Sequence, residues 1–359
     1  MKILGFCNLK GGVGKTTACQ NIAAALALLG RKIAVIDMDP QSNLSAGFGI
    51  TPLPDEPQVF DLLSGDMSWD DVITRKENID IIPSSLNIVM AELNHDGPIS
   101  DDTVLREALS NIESDRYDYI LLDSPPQLGV FTRNVLTACN NIIVPMDGGY
   151  YSLLGLQLLN SSLPVFRERL NPDLAITGIL MTNYNARLYI ARQIYNEVKE
   201  NFSDVLFDTC INQNVSLIEA SRMGMSIFAY SPRSRGAKCY KDAAIELLKR
   251  LEGENFSNDE SDSGVETPDL KQKIIDMIND SQKDMWLSML GAVSEISCAK
   301  LDIDSLKSEF DSADHDRFTF YILTEEGGNL APVMTNAQIN ESVKIALKWD
   351  ENGSAQVYM

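Results

Sequence analysis

The chain has 359 residues, 44% hydrophobic and 23% charged, with a formal net charge of -21, a composition that suits a globular protein with a substantial core and more than one domain. No run approaches the roughly 18 to 20 apolar residues of a membrane span, and the first residues read as a strand rather than a secretion signal, so a membrane protein is excluded and the cytoplasm is the expected compartment. Six cysteines, Cys7, Cys19, Cys139, Cys210, Cys239 and Cys298, show no Cys-x-x-Cys or Cys/His spacing, which argues for reduced, mostly buried thiols and against a metal or iron-sulfur role.

The first predicted elements carry most of the chemistry. A strand over Lys2 to Cys7 runs into KGGVGKTT, Lys10 to Thr17, and a helix follows over Thr16 to Leu29. A Gly-rich turn between strand and helix lets successive backbone N–H groups close around phosphate oxygens, with the positive end of the helix behind them. Gly11, Gly12 and Gly14 are read as the tight turn, with Val13 and Thr17 in the same cradle. Lys15 is placed to reach the outer phosphates and Thr16 to offer its hydroxyl to Mg2+. The pattern departs from GxxxxGK[ST], and a second lysine, Lys10, stands five residues before Lys15. The expected ligand is a nucleoside triphosphate.

Further along, a strand over Lys32 to Asp37 ends in VIDMDPQ, and one over Tyr119 to Asp123 lies in YDYILLDSPP. In an open parallel sheet, ligands bind at the carboxyl ends of strands, so Asp37, Asp39 and Asp123 are expected to converge on the Gly-rich turn. The loops Met38 to Ile50 and Ser124 to Val130, each anchored by such an acid, read as nucleotide-responsive switches. Other predicted strands are Ile79 to Ile82, Asn141 to Pro145, Ala175 to Met181 and Val205 to Thr209. Predicted helices are Asp102 to Glu113, Ser152 to Arg169, Ile190 to Glu200 and Gly236 to Leu251. This alternation is that of an α/β protein with a doubly wound, mostly parallel sheet.

Together KGGVGKTT, DMDPQ, LLDSPP and the later SPRSRGAKCY resemble the ParA branch of the ParA/MinD family, the deviant Walker A ATPases, from Met1 to about Leu251. The resemblance implies that Lys10 is the signature lysine, reaching across an ATP-dependent homodimer to the partner subunit's phosphates. It implies that Lys15 and Thr16 bind phosphate and Mg2+, that Asp39 orients the attacking water, that Asp123 is the Walker B acid, and that Asp37 supports the metal or its water shell. Phosphoryl transfer needs positioning and charge neutralisation, and a lysine supplied in trans would make both depend on dimerisation. Relatives hold adenine against a segment like IPRNV, which here reads Ile211, Asn212, Gln213, Asn214, Val215. Asn183 and Asn214 are the remaining candidates to hydrogen-bond a purine edge, and ATP rather than another nucleotide follows from the resemblance.

The resemblance also implies DNA binding without sequence preference, association with the nucleoid, and a ParB-like or adaptor partner that stimulates slow hydrolysis. Such binding needs a local basic cluster even on an acidic protein. Arg187, Arg192, Arg222, Arg233, Arg235 and Lys238 are the candidates, with Lys199 and Lys241 as outer members. A solvated basic surface is the plainer reading of the same residues, and Gln213 and Ser216 stand where relatives carry arginines. A helix-turn-helix domain ahead of a strand beginning at Lys2 is not expected, so operator binding is not either.

Residues 252 to 359 hold about 22 acids against about 8 bases. Positions 252–269 read as an acidic flexible linker, and positions 270–359 as a small α+β module. Within it the sequence predicts helix over Leu270 to Leu301, a strand over Arg317 to Thr324, a turn over Glu325 to Asn329, a helix over Asn336 to Leu347 and an extended end over Gln356 to Met359. A membrane-targeting helix is disfavoured by the acidity of Leu270 to Leu301. Docking of cargo or an adaptor, and cover of the basic patch in cis, are the two roles that compete. For the whole chain, an ATPase that positions cargo on DNA is set against a nucleotide switch acting only through protein partners, and against an activator of a metallocluster or reductase enzyme, which the cysteine spacing disfavours.

Overall fold

The computed structural model describes residues 1–53, 55–88 and 101–253, and four strands beyond them. The chain divides into two compact units, Met1–Asn258 and Asp259–Met359.

Among its described residues the first unit has seven strands: β1 (Lys2–Phe6), β2 (Ile33–Asp37), β3 (Thr74–Lys76), β4 (Ile79–Ile82), β5 (Tyr119–Asp123), β6 (Asn141–Met146) and β7 (Ala175–Met181). They lie in the order β3-β4-β2-β5-β1-β6-β7. All pairings are parallel except that of β3 with β4. The helices are α1 (Lys15–Leu28), α2 (Asn43–Gly47), α3 (Val59–Ser64), α4 (Val104–Ser110), α5 (Val130–Ala138), α6 (Tyr150–Arg169), α7 (Tyr189–Phe202), α8 (Val215–Arg222), α9 (Ile227–Tyr230) and α10 (Arg235–Glu252).

Strands buried on both faces need apolar residues at every position, and β2 and β5 show how that builds two cores. Ala34 and Ile36 of β2, with Ile120 and Leu122 of β5, face Leu62, Leu105, Val135 and Leu156 of the helices α3 to α6. The intervening Ile33, Val35, Tyr119 and Leu121 face Ala18, Ile22 and Leu26 of α1 and Tyr240, Ala244 and Leu247 of α10. At roughly 25 cal/mol per Å2 of apolar surface removed from water, these two layers dominate the stability of the unit.

Several sequence expectations are corrected. Val205 to Thr209 is not a strand: it makes one isolated bridge, Ile179 to Leu206. The Arg250 guanidinium donates to the carbonyls of Thr177, Val205 and Leu206 and lies over the Phe207 ring, 4.5 Å from its centroid. Ile179 N donates to the Val205 carbonyl at 2.7 Å and Phe207 N to the Ile179 carbonyl at 2.9 Å, and within Val205 to Thr209 the pairing with β7 goes no further. The short polar edge strand β3 and the helices α2, α3, α5, α8 and α9 were not expected.

The end of the unit is tied to the base of its sheet. Lys2 donates to the carbonyl of Leu251, Arg31 pairs with Glu252 at 2.7 Å, and the Tyr119 hydroxyl donates to Glu252 at 2.5 Å. Glu252, assigned to the linker from sequence, is therefore the anchored last residue of α10. The remainder of the predicted linker beyond Gly253 and the predicted Leu270 to Leu301 helix lie outside the described residues, as does the Glu325 to Asn329 turn.

In the second unit β8 (Phe318–Leu323), β9 (Leu330–Thr335), β10 (Val343–Trp349) and β11 (Ala355–Tyr358) form a sheet of order β11-β10-β8-β9. Its β8–β10 pair is parallel and the others antiparallel. The helix predicted over Asn336 to Leu347 is overturned, because β10 begins at Val343. Val343, Ile345, Leu347 and Trp349 alternate with Lys344, Ala346 and Lys348, the period of a strand.

Candidate nucleotide site

The Gly-rich turn joins the carboxyl end of β1 to the amino end of α1. Gly12 and Gly14 adopt left-handed φ angles of 76° and 77°, a conformation that L side chains resist. Gly11 lies in the same turn without a left-handed φ. Thr182, just past β7, fixes the loop from outside: its hydroxyl donates to the Val13 carbonyl at 2.6 Å. Lys15 begins α1 with its side chain largely buried, and its ammonium donates to the Lys10 carbonyl at 3.3 Å. Burial drives its pKa below the ordinary lysine value, against the pull of Asp123, Cys7 and Asp39. An incoming phosphate would meet a cation already stripped of most of its water.

The three acids do converge. Asp37 and Asp123 are register partners at the ends of β2 and β5, both wholly buried. Asp123 accepts from the Thr16 hydroxyl at 2.7 Å. Asp37 accepts from the Ser45 hydroxyl at 2.7 Å, from Ser45 N at 2.9 Å and from Asp39 N at 3.1 Å. Burial pushes the Asp37 carboxyl up to about 6, opposed by those hydrogen bonds, and burial with the neighbouring Asp37 charge pushes Asp123 well above the usual carboxylate range. Asp39 is 7% exposed and accepts from Gln41 N at 2.9 Å, so the loop that carries it folds back on its own carboxylate.

Two acids beside a hydroxyl fit a divalent cation. The second oxygen of Asp123 is buried with no hydrogen-bond partner, a costly state that a cation or its water shell would relieve. Among the described residues no group of three or more His, Cys, Asp or Glu side chains is placed to hold a metal. The remaining positions would therefore fall to phosphate oxygens and water, as Mg2+ prefers.

Lys10 does not lie on its own phosphate cradle. Its ammonium pairs with Asp147 at 2.8 Å, with the Lys10 side chain 29% exposed. Sequence reading missed Asp147, although NIIVPMD carries the same signature of an acid ending a buried strand. It also missed Ser45 and Thr182, which no local pattern announces. Burial acts to raise the Asp147 carboxyl, but hydrogen bonds from Lys10, Ser152 and Gly149 outweigh it and hold the group below the usual carboxylate range.

The candidates for the base lie on adjoining segments. Asn183 follows β7 at a left-handed φ of 49°, and a parallel bridge from Tyr184 to Asn212 sets its segment beside the one leading to Asn214. Asn214 caps α8, its side chain accepting from Ser216 N, and its amide nitrogen faces Gly236. Arg187, Arg192, Arg222, Arg233, Arg235 and Lys238 are all exposed. They sit on the loop before α7, on α7 and at the ends of α8 and α10. Leu188, Tyr189, Ile190, Val215 and Ile218 are also half or more exposed among them. Among the described residues no helix is long and apolar enough to cross a membrane.

A family model described as an AAA domain matches residues 1–176. The sporulation initiation inhibitor protein Soj of Bacillus subtilis is 41% identical over 248 residues, which are 68% of this chain and 98% of that protein. The chromosome-partitioning ATPase Soj of Treponema pallidum is 38% identical over 251 residues, 69% and 98% of the two chains. Among solved structures, cobyrinic acid a,c-diamide synthase from Mycobacterium smegmatis with bound ADP and magnesium is similar at a TM-score of 0.60 and 28% identity, over 70% of this chain and 96% of that one. The septum site-determining protein MinD of Pyrococcus horikoshii, complexed with Mg-ADP, is similar at 0.57 and 25%, over 70% and 97%.

Proposed function

Because the chain belongs to the ParA/Soj family of ATPases, we propose that ATP closes two copies of it face to face, that the dimer holds duplex DNA without sequence preference, and that a cargo-bound partner triggers hydrolysis and release. The observation that carries this reading is the placement of the two lysines. Lys15 donates into its own loop, whereas Lys10, on the same loop, is drawn aside to Asp147 and takes no part in that cradle. A partly exposed cation beside a phosphate site, not used by that site, suits the phosphates of a second subunit.

In this reading Gly12, Val13, Gly14 and Thr17 wrap the phosphates with backbone N–H groups, and Lys15 neutralises the outer ones. Mg2+, held through Thr16 with Asp37 and Asp123 in support, would supply further charge neutralisation. Asp39 orients the attacking water, and its loop and that of Asp123 respond to the γ-phosphate. Asn183 and Asn214 lie where a purine edge is read. Arg187, Arg192, Arg222, Arg233, Arg235 and Lys238 hold the DNA backbone, and the module beyond position 269 docks cargo or an adaptor.

Lys10→Ala is expected to stay monomeric with ATP in sedimentation velocity, and Asp39→Ala to lose about 100-fold or more in ATP turnover. Normal dimerisation of the first or intact turnover of the second would refute the reading. DNA binding is tested over a salt series with ATP, with ADP and without nucleotide: affinity should need ATP and fall steeply with salt.

A second reading, a switch acting on protein partners alone, is favoured by the apolar side chains among the arginines. Val215 is 69% exposed and Ile218 73%, and such exposure is more typical of protein docking than of phosphate contact. ATP-driven dimerisation without DNA binding at any nucleotide state would select it.

A further inference from the structure

Asp147 holds Lys10 through an arrangement that the proposed function does not use. Its two oxygens have separate tasks. Oδ1 accepts from the Ser152 hydroxyl at 2.6 Å and from Gly149 N at 3.0 Å, both at the start of α6. Oδ2 accepts from the Lys10 ammonium at 2.8 Å. Ser152 is fully buried, and its oxygen also accepts from Asp147 N at 3.3 Å. The carboxylate is thus clamped from behind and presents one free edge.

The backbone of Lys10 is held by the same assembly. Asn8, 1% exposed, donates to the Pro145 carbonyl on β6 at 2.8 Å and accepts from Lys10 N at 3.1 Å. Gly155 of α6 lies so close that a Cβ there would come within 2.4 Å of the Asn8 oxygen and 3.4 Å of Lys10 N. Both ends of Lys10 are therefore registered against β6 and the first turns of α6. An exposed lysine would ordinarily sample many rotamers, and ordering it costs conformational entropy. Here that cost is already met, and the side chain points at an acid of its own chain.

We propose that Asp147 is a positioning residue that stations Lys10 in cis and sets the threshold for ATP-dependent dimerisation, since the lysine must leave Asp147 to reach a phosphate of the second copy. The proposal rests on the sandwich-dimer reading above. Breaking the pair is a cost of closure in the intact protein, and a chain without it closes at lower protein concentration.

The test uses the full chain with ATPγS in sedimentation equilibrium, comparing wild type, Asp147→Asn, Ser152→Ala, Lys10→Ala and the Lys10→Ala/Asp147→Asn double variant. Asp147→Asn keeps an acceptor for Ser152 and Gly149 but removes the charge, and its dimer should be tighter by about 3- to 10-fold, the range of a partly exposed charged pair. Ser152→Ala, which only loosens the clamp, should shift the same way by less and guards against a folding defect in the first variant. The double variant should behave as Lys10→Ala. The Lys10 ammonium 15N–1H resonance, sharpened by its hydrogen bond in the nucleotide-free protein, should vanish in Asp147→Asn, which a purely structural role would not require. A dimer of unchanged or weaker affinity in Asp147→Asn, while Lys10→Ala stays monomeric, would overturn the proposal and leave the sandwich dimer standing. Wild-type dimerisation by Lys10→Ala would instead remove the sandwich reading and the proposal with it.

Discussion

At the residue scale, Asp37 and Asp123 set the electrostatics of the candidate site. Two carboxylates that are register neighbours in a sheet, both buried, cannot easily carry full charge together. With the Asp37 carboxyl pushed up to about 6 from a normal 3.8, the folded chain holds its proton more tightly than the unfolded chain does. The stability this contributes is complete below about pH 4 and is lost as pH rises through 6. Thermal unfolding of the nucleotide-free protein should therefore show a falling Tm across that window, and Asp37→Asn should make the fall shallower, with the Asp123 share remaining. Thr16→Ala should act differently. It leaves Asp123 without the donor it has and is expected to weaken Mg-nucleotide binding by about 10- to 100-fold in calorimetry, the usual loss when support of a metal site is removed.

The elements connect this site to distant helices. The loop that carries Asp39 continues through α2, whose Ser45 is hydrogen-bonded to Asp37, to Gly49, and there the backbone meets Gly224 in the turn after α8. Both glycines are left-handed, with φ of 69° and 65°, and a Cβ at Gly224 would stand 2.6 Å from the Gly49 Cα. Gly224→Ala is expected to cost about 2–4 kcal/mol, from the strained φ and the backbone clash together, and a thermal melt would read it as a lower Tm. Legibility from sequence followed the same physics. Six of the seven strands of the first unit were readable because each is an apolar run between turn residues. β3 was missed because Thr74, Arg75 and Lys76 form a polar edge, and α5 because VFTRNVLTA mixes helix and strand formers. Of the site, the loop and three acids were legible from motif and strand-end logic. Their partners Ser45, Thr182 and Ser152 were not, because what brings them near is tertiary.

At the scale of the whole molecule the chain is a complete ATPase unit followed by a second, acidic one. The 248 residues shared with the Bacillus subtilis relative are 98% of that protein, so a unit of this size exists elsewhere without the tail. A chain ending at Asn258 should unfold in one cooperative transition, within about 2–4 °C of the matching transition in the full chain. The same truncation decides between the two roles of the tail. Unchanged DNA affinity and salt slope would discard cover of the basic patch and leave cargo docking; a gain in both would establish cover.

The knot of Lys2, Arg31, Tyr119 and Glu252 has a mechanical meaning. It fastens the last turn of α10 to the first residues of β1 and β5 and to the residue preceding β2 by two. Those are the ends of the strands remote from the Gly-rich loop, about 17 Å away for a five-residue strand. A load hung on the chain beyond Gly253 enters the sheet at that pole, where three strands share it. The loops that carry Asp39 and follow Asp123 lie at the other pole. Tension arriving through the chain beyond Gly253 therefore meets the three strand starts first, at the pole opposite the acids and the Gly-rich loop.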